Sequence, residues 1–462
     1  MACLFCVVIG LLCMTKCTKD DKDSMENFDM TQDDKDNTEN FVLMQFEQTN
    51  DVIVNQNNTT VGIVSRNIPT EVKNEGISTK YPTYGTDMTF SEEEREKLYE
   101  ESTALFASFD SMDSQGNLLL NGVETGKKLY KHTVAENIYF GQVSDDEDAV
   151  KEQITICSNE VRNFLTGLYA PAGEVVKVEI SSQDLESIGA LNIAVGQVTH
   201  RNIVHTIPKT KTSYGRMPTI AKVFKQKTTE FYVGNYFGGP IYISPDKYGK
   251  EFTVTISGAV KYPCFIYGKT TKEEFEQTKT SSAPYFDFEV WNLGVRHSGT
   301  AKYANFDFDN LQKVGDFWEK VCQASRQVPN TSNKYIGVGF IYDPYVAAGA
   351  ACAYQGGNTW VNAPYNTLGS ALDYDSIVQY GIWGMVHEFN HHYQNYGIAP
   401  YGEVTNNATS LLSYILYTDI SSFRSENDGT LTGWNRYTDP TRSLKETISN
   451  AQNTAPQSTL NI

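Results

Sequence analysis

The pattern of hydrophobic and polar residues divides the chain into five stretches. An apolar run over residues 1–17 precedes a tract over residues 18–88 that is rich in Asp, Asn, Thr and Lys and poor in aromatic residues. Segments of low hydrophobicity and high charge cannot bury enough apolar surface to offset the entropy lost on ordering. Residues 18–88 are therefore predicted to form a disordered acidic spacer.

Helical signals follow over residues 89–168. Ser91 precedes three consecutive glutamates, as an N-cap residue precedes the acidic first turn of a helix. Between residues 145 and 168, apolar residues recur at the steps of three and four that define one helix face: Val150, Ile154, Cys157, Val161 and Phe164. This stretch is predicted to be a helical N-terminal region with a structural role.

Short runs of β-forming residues occupy residues 169–300. The runs lie at residues 175–180, 230–233, 240–244, 252–256 and 285–290, with glycine and proline turn signals between them. This pattern predicts a β-sandwich. His200, His205 and His297 lie in the same stretch. Because a spacing of five suits no metal site on a helix face, all three are predicted to be structural or surface residues.

The last stretch, residues 301–462, is predicted to be mostly helical. Residues 307–326 show the pattern of a long amphipathic helix, and residues 334–343 that of a buried strand. Residues 355–370 are predicted to form a loop. The predicted fold class is therefore α+β, with a β-sandwich-like domain followed by a mostly helical domain.

Charge excludes one class of function. The chain has 38 Lys and Arg residues against 56 Asp and Glu residues, a net charge of −18. A protein this acidic repels phosphates instead of displacing their counterions. Nucleic acid is therefore not an expected partner.

The first 17 residues indicate where the protein acts. Residues 1–14 are too short to cross a bilayer as a helix, but they fit the apolar region of a signal peptide. The protein is predicted to be secreted or held on the cell surface, without a membrane span, and Cys17 leaves a lipid anchor open. Four cysteines remain outside this leader, which allows three disulfide pairings or none.

The strongest chemical signal in the chain is the motif His387-Glu388-x-x-His391. Helix positions i and i+4 lie on one face, so the two imidazoles can bind one metal ion while Glu388 reaches a metal-bound water. Catalytic zinc takes three protein ligands and keeps one open position. Glu403 lies twelve residues after His391, directly after a break in the helical pattern at residues 397–402. It is the expected third ligand. The motif therefore predicts a Zn²⁺ site with Glu388 as the catalytic base.

The residues after Glu403 form an amphipathic helical pattern. Val404, Ala408 and Leu411 share an apolar face, whereas Glu403 and Asn407 lie on the opposite face. A carboxylate and an amide are thus predicted to point together, which makes Asn407 a candidate substrate-binding residue.

A family resemblance rests on these same segments. Trp383–Gln394 and Gly402–Asn407 resemble the active site of the M60-like (enhancin-like) zinc metallopeptidases, which are mucin-degrading gluzincins. Thr166–Glu174 and Phe237–Tyr242 resemble two further segments of that family. One departure is Asn390, where the family usually has Gly; it leaves every ligand position intact.

The resemblance implies a fold and a substrate class. It implies that residues 301–462 form a zincin-type catalytic subdomain, with residues 347–354 as an edge strand beside the substrate. It also implies glycosylated proteins, mucins above all, as substrates. The family's helical subdomain after the glutamate ligand is generally longer, so the C-terminus is interpreted as possibly truncated. Two alternatives stay open, namely a non-catalytic glycan-binding adhesin and a general zinc peptidase indifferent to glycans.

Sugar contacts are predicted in the two loops that flank the motif. Trp360 stands in the loop before it, and Trp434 and Arg436 stand in the segment after it. Aromatic rings can stack on sugar rings, and the guanidinium supplies directed hydrogen bonds. These three residues and Asn407 are the predicted substrate contacts.

Overall fold

A computed structural model describes most of the chain between residues 56 and 393. The described residues are 56–78, 80–159, 161–201, 203–290, 294–327, 337–349, 351–354, 360–380 and 382–393, with Asn406 and Ser410. The predictions on the leader, on the spacer before residue 56, on Glu403, Asn407, Trp434 and Arg436, and on the C-terminus lie outside these residues. None of the described helices has both the length and the apolar character that a membrane crossing needs.

The first unit is built around a twelve-stranded antiparallel sheet. Its elements are β1 (Gln56–Val64), β2 (Val72–Lys73), β3 (Met88–Thr89), α1 (Glu92–Ala107), β4 (Ser111–Met112), β5 (Asn117–Leu120), β6 (Val123–Lys128), β7 (Lys131–His132), β8 (Ala149–Cys157), β9 (Phe164–Ala170), β10 (Val176–Ile180), α2 (Ser182–Ile188), β11 (Leu191–Val195), β12 (Ser213–Tyr214), β13 (Lys222–Gln226), β14 (Glu230–Val233), β15 (Gly239–Pro245) and β16 (Glu251–Lys261). Strands β2 and β7, and strands β3 and β12, form two small separate pairs.

Strand β16 is the point at which this sheet divides. One side of β16 pairs with β8 along most of its length, whereas the other side pairs first with β10 and then with β9. One branch continues through β14 to β6, and the other through β15 and β11 to β13. Strands β8, β10 and β16 alternate between buried and more exposed residues, which is typical of a sheet with one face on the core. The predicted β-forming runs at residues 175–256 are thus confirmed as strands.

The helical prediction for residues 89–168 is correct only at its start. Helix α1 begins after Ser91, whose Oγ accepts from the backbone N–H of Glu94 while the Glu94 carboxylate accepts from the N–H of Ser91. Residues 149–157 and 164–170 are strands, so the prediction of helix there is wrong. Ile154 and Ile156 are fully buried on alternate positions, and Val161 is 53 % exposed. The apolar residues in this stretch are compatible with both the helical period of 3.6 residues and the strand period of two. Pairing with β1 and β16 decides in favour of the strand.

The prediction of a disordered spacer over residues 18–88 is also wrong from residue 56 onward. Strand β1 pairs antiparallel with β8 from Gln56 to Val64. Just beyond it, Arg66 forms a buried ion pair with Glu174, which precedes β10. Polar residues can form an edge strand when a partner strand supplies the hydrogen bonds, and the composition of this tract does not reveal that partner.

The second unit contains a six-stranded mixed sheet in the order β17-β18-β19-β20-β22-β21. Its elements are β17 (Cys264–Tyr267), α3 (Lys272–Thr278), β18 (Tyr285–Val290), β19 (Val295–Thr300), α4 (Phe308–Gln327), β20 (Gly339–Asp343), β21 (Cys352–Tyr354), β22 (Trp360–Pro364), α5 (Leu368–Ala371), α6 (Tyr374–Tyr380) and α7 (Trp383–His391). The predicted long helix and buried strand are confirmed as α4 and β20.

Three predictions for this half of the chain need correction. Residues 264–300 contribute β17, β18 and β19 to the second sheet, so the predicted sandwich does not extend to residue 300. The prediction that residues 301–462 are mostly helical is not confirmed, because the described residues of that range combine helices α4 to α7 with strands β20 to β22. Residues 360–364 form strand β22 instead of a loop. All three outcomes have one cause, because sheet membership depends on which distant strands pair.

The two sheets meet through buried polar contacts. Every residue of β15 and of β18 is buried, which shows that both faces of these strands are covered. Asp287 of β18 accepts hydrogen bonds from Tyr242 of β15 at 2.8 Å and from Tyr262 at 2.5 Å. Asp343, at the end of β20, pairs with the buried guanidinium of Arg216 at 2.8 Å. The first unit thereby fixes strands of the second sheet. The helix that carries the candidate site, α7, packs against this sheet.

The four described cysteines, Cys157, Cys264, Cys322 and Cys352, are all free thiols. The sequence allowed three disulfide pairings or none among these four cysteines, and the structure has none.

Buried histidines predict that the fold is sensitive to acid. His200, His205 and His297 are all buried, which confirms that they are structural. Burial lowers the pKa of His205 to about 4 and that of His297 to about 3. Because both pKa values lie below the ordinary 6.5, their contribution to stability is complete above pH 6.5 and is lost as the pH falls from 6.5 toward 4. Over that range, each histidine lowers the free energy of unfolding by roughly 1.4 kcal/mol for every pH unit of acidification.

We expect the free energy of unfolding in urea to fall steeply between pH 6.5 and pH 4.5. The variant His297→Phe keeps an aromatic ring against Phe340, on which His297 stacks, but cannot titrate. Its slope against pH should be shallower by roughly 1.4 kcal/mol per pH unit. An identical slope in the variant and the parent protein would contradict the assignment of His297.

Candidate metal site

Helix α7 carries the His-Glu-x-x-His motif and is anchored by its apolar face. Val386 and Phe389 are fully buried. The Phe389 ring packs against Trp318 of α4, with 5.7 Å between the ring centroids, and lies nearly parallel to Phe340 of β20 at 6.4 Å. These contacts hold the motif helix against the second sheet, so that the opposite face of the helix carries the polar side chains.

The side chains of His387, Glu388 and His391 converge at one place on α7. Their potential ligand atoms all lie within 4.8 Å of one another, and within the part of the chain that the structure describes this is the one such group of three or more. The Nε2 atoms of the two histidines are 3.1 Å apart, with the rings perpendicular. His391 is buried, and the other two side chains are half-buried.

The spacing of these nitrogens fits a tetrahedral metal ion. Two imidazole nitrogens at the zinc–nitrogen distance of about 2.05 Å lie about 3.3 Å apart on a tetrahedral ion. The observed separation of 3.1 Å is within a few tenths of an ångström of that value. Imidazole pairs of this kind suit zinc and other first-row transition metals. The predicted pair of histidine ligands is thus brought together, whereas the predicted third ligand, Glu403, lies outside the described residues.

Glu388 is held by the edge of the second sheet. Strand β21 is the edge strand and pairs antiparallel with β22, so the edge strand predicted over residues 347–354 is confirmed only for residues 352–354. The backbone N–H of Ala353 in β21 donates to Oε2 of Glu388 at 2.7 Å. A backbone donor on a carboxylate fixes its orientation. The sequence motif did not reveal this contact, because it joins residues 35 positions apart.

For the hydrolysis that the His-Glu-x-x-His motif predicts, we expect Ala353→Pro to lower kcat/KM by about tenfold or more. Proline removes the N–H that orients Glu388, and a hydrogen bond to a charged group contributes about 1.5–3 kcal/mol. Edge strands tolerate proline better than central strands do. Zinc content should be unchanged, and Ala353→Val, which keeps the N–H, should retain the parent rate. Equal activity in Ala353→Pro would show that this contact does not orient the base.

Two residues beyond the motif contact α7, and the sequence reading did not assign them a role. Asn406 and Ser410 are helical and fully buried. The Asn406 side-chain amide donates to the backbone oxygen of His387 at 2.7 Å, and the Asn390 amide donates to Ser410 Oγ at 3.2 Å. The sequence signal for this shared contact with α7 was the spacing of four between the two residues, which places both on one helix face.

Trp360 does not form the substrate contact that the sequence predicted. It lies on β22 and is 4 % exposed. One face of its ring stacks on Tyr354 at 3.9 Å, and the His205 ring packs against it at 4.6 Å. A ring covered in this way has no face available for a sugar. The prediction for Trp360 is therefore wrong, and its role is to join β22, β21 and the first unit.

Two family profiles match adjoining parts of the chain. The profile described as N-terminal domain of M60-like peptidases matches residues 145–257, and that described as Peptidase M60, enhancin and enhancin-like matches residues 258–460. The chain belongs to the M60-like peptidase family. The border between the profiles lies close to the passage from β16 to β17, where the first sheet ends and the second begins. Membership supports metallopeptidase activity at the level of the family.

Curated relatives of the chain include proteins from an amoeba and from mammals. Antigenic protein P1 of Entamoeba histolytica is 28 % identical over 386 residues, which are 78 % of this chain and 32 % of that protein. TRPM8 channel-associated factor 3 of Mus musculus is 28 % identical over 247 residues, which are 50 % of this chain and 24 % of that protein. The chain thus matches a third or less of the length of these two relatives.

Solved structures with some likeness include two bacterial proteins. IMPa of Pseudomonas aeruginosa, in complex with an O-glycopeptide, is 15 % identical with a TM-score of 0.42, over 62 % of this chain and 35 % of that chain. The M60 catalytic domain of Clostridium perfringens ZmpC, in complex with the sialyl T antigen, is 15 % identical with a TM-score of 0.39, over 56 % and 53 %. Likeness at this level adds no argument about the site.

Proposed function

We propose that this protein is a secreted or surface-held zinc endopeptidase that cleaves glycosylated proteins such as mucins. The observation that carries the proposal is the 3.1 Å approach of His387 Nε2 to His391 Nε2, with Glu388 held beside them by Ala353. Membership of the M60-like family supports the same reaction class. The apolar leader supports export.

The proposed zinc ligands are His387, His391 and Glu403. Helix positions i, i+3 and i+7 share one face, so the helix that the sequence predicts after Gly402 would have Glu403 on the same face as Asn406 and Ser410. Those two residues contact α7 through their side chains. A carboxylate on that face would complete the three-ligand set that catalytic zinc uses.

The chemistry divides between the metal and this chain's own residues. Zinc, when bound, supplies a Lewis acid and lowers the pKa of a coordinated water toward about 7. Glu388, oriented by the Ala353 N–H, takes a proton from the attacking water and then delivers it to the leaving amine. Strand β21, at the edge of the sheet, is proposed to align an extended peptide beside Glu388.

The glycoprotein substrate is the finer part of the proposal and rests on the family resemblance. With Trp360 buried, the proposed sugar contacts are Asn407, Trp434 and Arg436, all after the motif. We expect Trp434→Ala to lower kcat/KM for an O-glycosylated peptide about tenfold more than for its bare counterpart, because loss of ring stacking affects only the sugar. Equal losses on both peptides would remove Trp434 from the glycan site.

The decisive experiment compares a mucin with its enzymatically deglycosylated form, each with and without a chelator. Faster cleavage of the glycosylated form, abolished by the chelator and restored by zinc, supports the proposal. Equal or faster cleavage of the deglycosylated form would leave a general zinc peptidase. Mucin binding without cleavage would leave the adhesin alternative.

A further inference from the structure

The motif helix α7 has polar contacts on a buried face, where apolar packing is the usual arrangement. Asn390, Asn406 and Ser410 are each fully buried. Asn390 lies in α7 itself, and its amide donates to the Val386 oxygen at 2.9 Å and to Ser410 Oγ at 3.2 Å. Asparagine is a weak helix former, and a buried polar side chain costs free energy unless it is hydrogen-bonded. Such contacts add little stability but impose one exact register on the helices.

The contact made by Asn406 reaches the backbone of a proposed metal ligand. Its Nδ2 donates to the backbone oxygen of His387 at 2.7 Å. The donor–acceptor distance of a hydrogen bond can vary by only a few tenths of an ångström. A slip of one residue along a helix, in contrast, moves a side chain by about 1.5 Å and 100°. Two such contacts, at Asn406 and Ser410, therefore define both the height and the rotation of α7 against these two residues.

We propose that Asn390, Asn406 and Ser410 are positioning residues that hold the motif helix α7, and with it the two histidine ligands, in the geometry that binds zinc. The inference rests on the proposed function, since it takes His387 and His391 as zinc ligands. Asn406 holds the backbone oxygen of His387, and Asn390, which is hydrogen-bonded to Ser410, directly precedes His391, so both contacts act on the turn of α7 that carries the two imidazoles. Hydrogen bonds that orient metal ligands typically contribute a factor of about 10 to 100 in metal affinity. The three residues govern zinc affinity without touching the reacting atoms.

The test measures zinc affinity by competition with a chromogenic chelator on the full chain. Asn406→Leu keeps the side-chain volume but removes the donor, and we expect zinc binding about 10- to 100-fold weaker, with kcat at saturating zinc close to the parent value. Ser410→Ala and Asn390→Ala, which disturb packing less, should each weaken binding several-fold, and the double variant should show less than the sum of the two effects. Ser325→Ala removes a buried hydroxyl–carbonyl hydrogen bond of 2.9 Å in α4 and is the matched control.

The outcomes separate this inference from the proposed function. A role in stability alone would lower the unfolding temperature of the metal-free protein and leave the zinc Kd unchanged, as expected for Ser325→Ala. Parent-like zinc affinity in folded Asn406→Leu, Ser410→Ala and Asn390→Ala would overturn the inference while His387→Ala still lost zinc. Parent-like affinity in His387→Ala would instead overturn the proposed ligand set, and the inference with it.

Discussion

The variant Glu388→Gln should lose about 100- to 10,000-fold in kcat while binding zinc like the parent protein. Glutamine keeps the shape of the side chain but cannot accept a proton from water, and general acid–base catalysis contributes a factor of this size. The amide oxygen can still accept from the Ala353 N–H, so the position of the side chain should be retained. The measurement is kcat on a mucin-type glycopeptide at saturating substrate, with zinc content determined on the same sample.

Two controls make the Glu388 result specific. Glu273→Gln, at an exposed position in α3, changes charge by the same amount far from the motif and should leave kcat unchanged. Mucin binding by Glu388→Gln should persist, because the base does not bind the substrate. Turnover near the parent rate in Glu388→Gln would move the base elsewhere in the site or assign the activity to a contaminant.

Removal of any one proposed ligand should abolish stoichiometric zinc binding. The parent protein should carry about one zinc per chain, and His387→Ala, His391→Ala and Glu403→Ala should each lose it, because two remaining ligands do not complete a catalytic zinc site. The histidine variants test the convergence of the two nitrogens, 3.1 Å apart. The glutamate variant tests the third ligand, which rests on its distance from the motif in the sequence and on the family resemblance of residues 402–407. Zinc content is measured by elemental analysis after dialysis against a weak chelator.

The matched control is a histidine that is buried but distant from the motif. His132 is fully buried in the first unit, and His132→Gln should keep full zinc content even where it lowers stability. Full zinc content in Glu403→Ala would show that the third ligand is misassigned. Full content in both histidine variants would place the metal outside α7 altogether.

Sequence alone determined the features that depend on neighbouring residues. The pairing of His387 with His391 follows from the helix repeat, and the start of α1 follows from the reciprocal hydrogen bonds of Ser91 and Glu94. Both are decided within one or two helical turns. The long amphipathic helix α4 was predictable for the same reason, since a buried face is visible as a period of 3.6 residues.

Only the tertiary structure decided the features that depend on distant partners. Strand β8 became a strand because β1 and β16, about 90 residues away on either side, supply its hydrogen bonds. Trp360 was assigned to a substrate loop by its polar, glycine-rich surroundings, but pairing of β22 with β20 and β21 buried it. The orientation of Glu388 by Ala353, and of α7 by Asn406, likewise joins segments 35 and 19 residues apart. Local periodicity records which face of an element is apolar, whereas the partner of that face is set by packing free energy summed over the whole chain, which no short window of sequence contains.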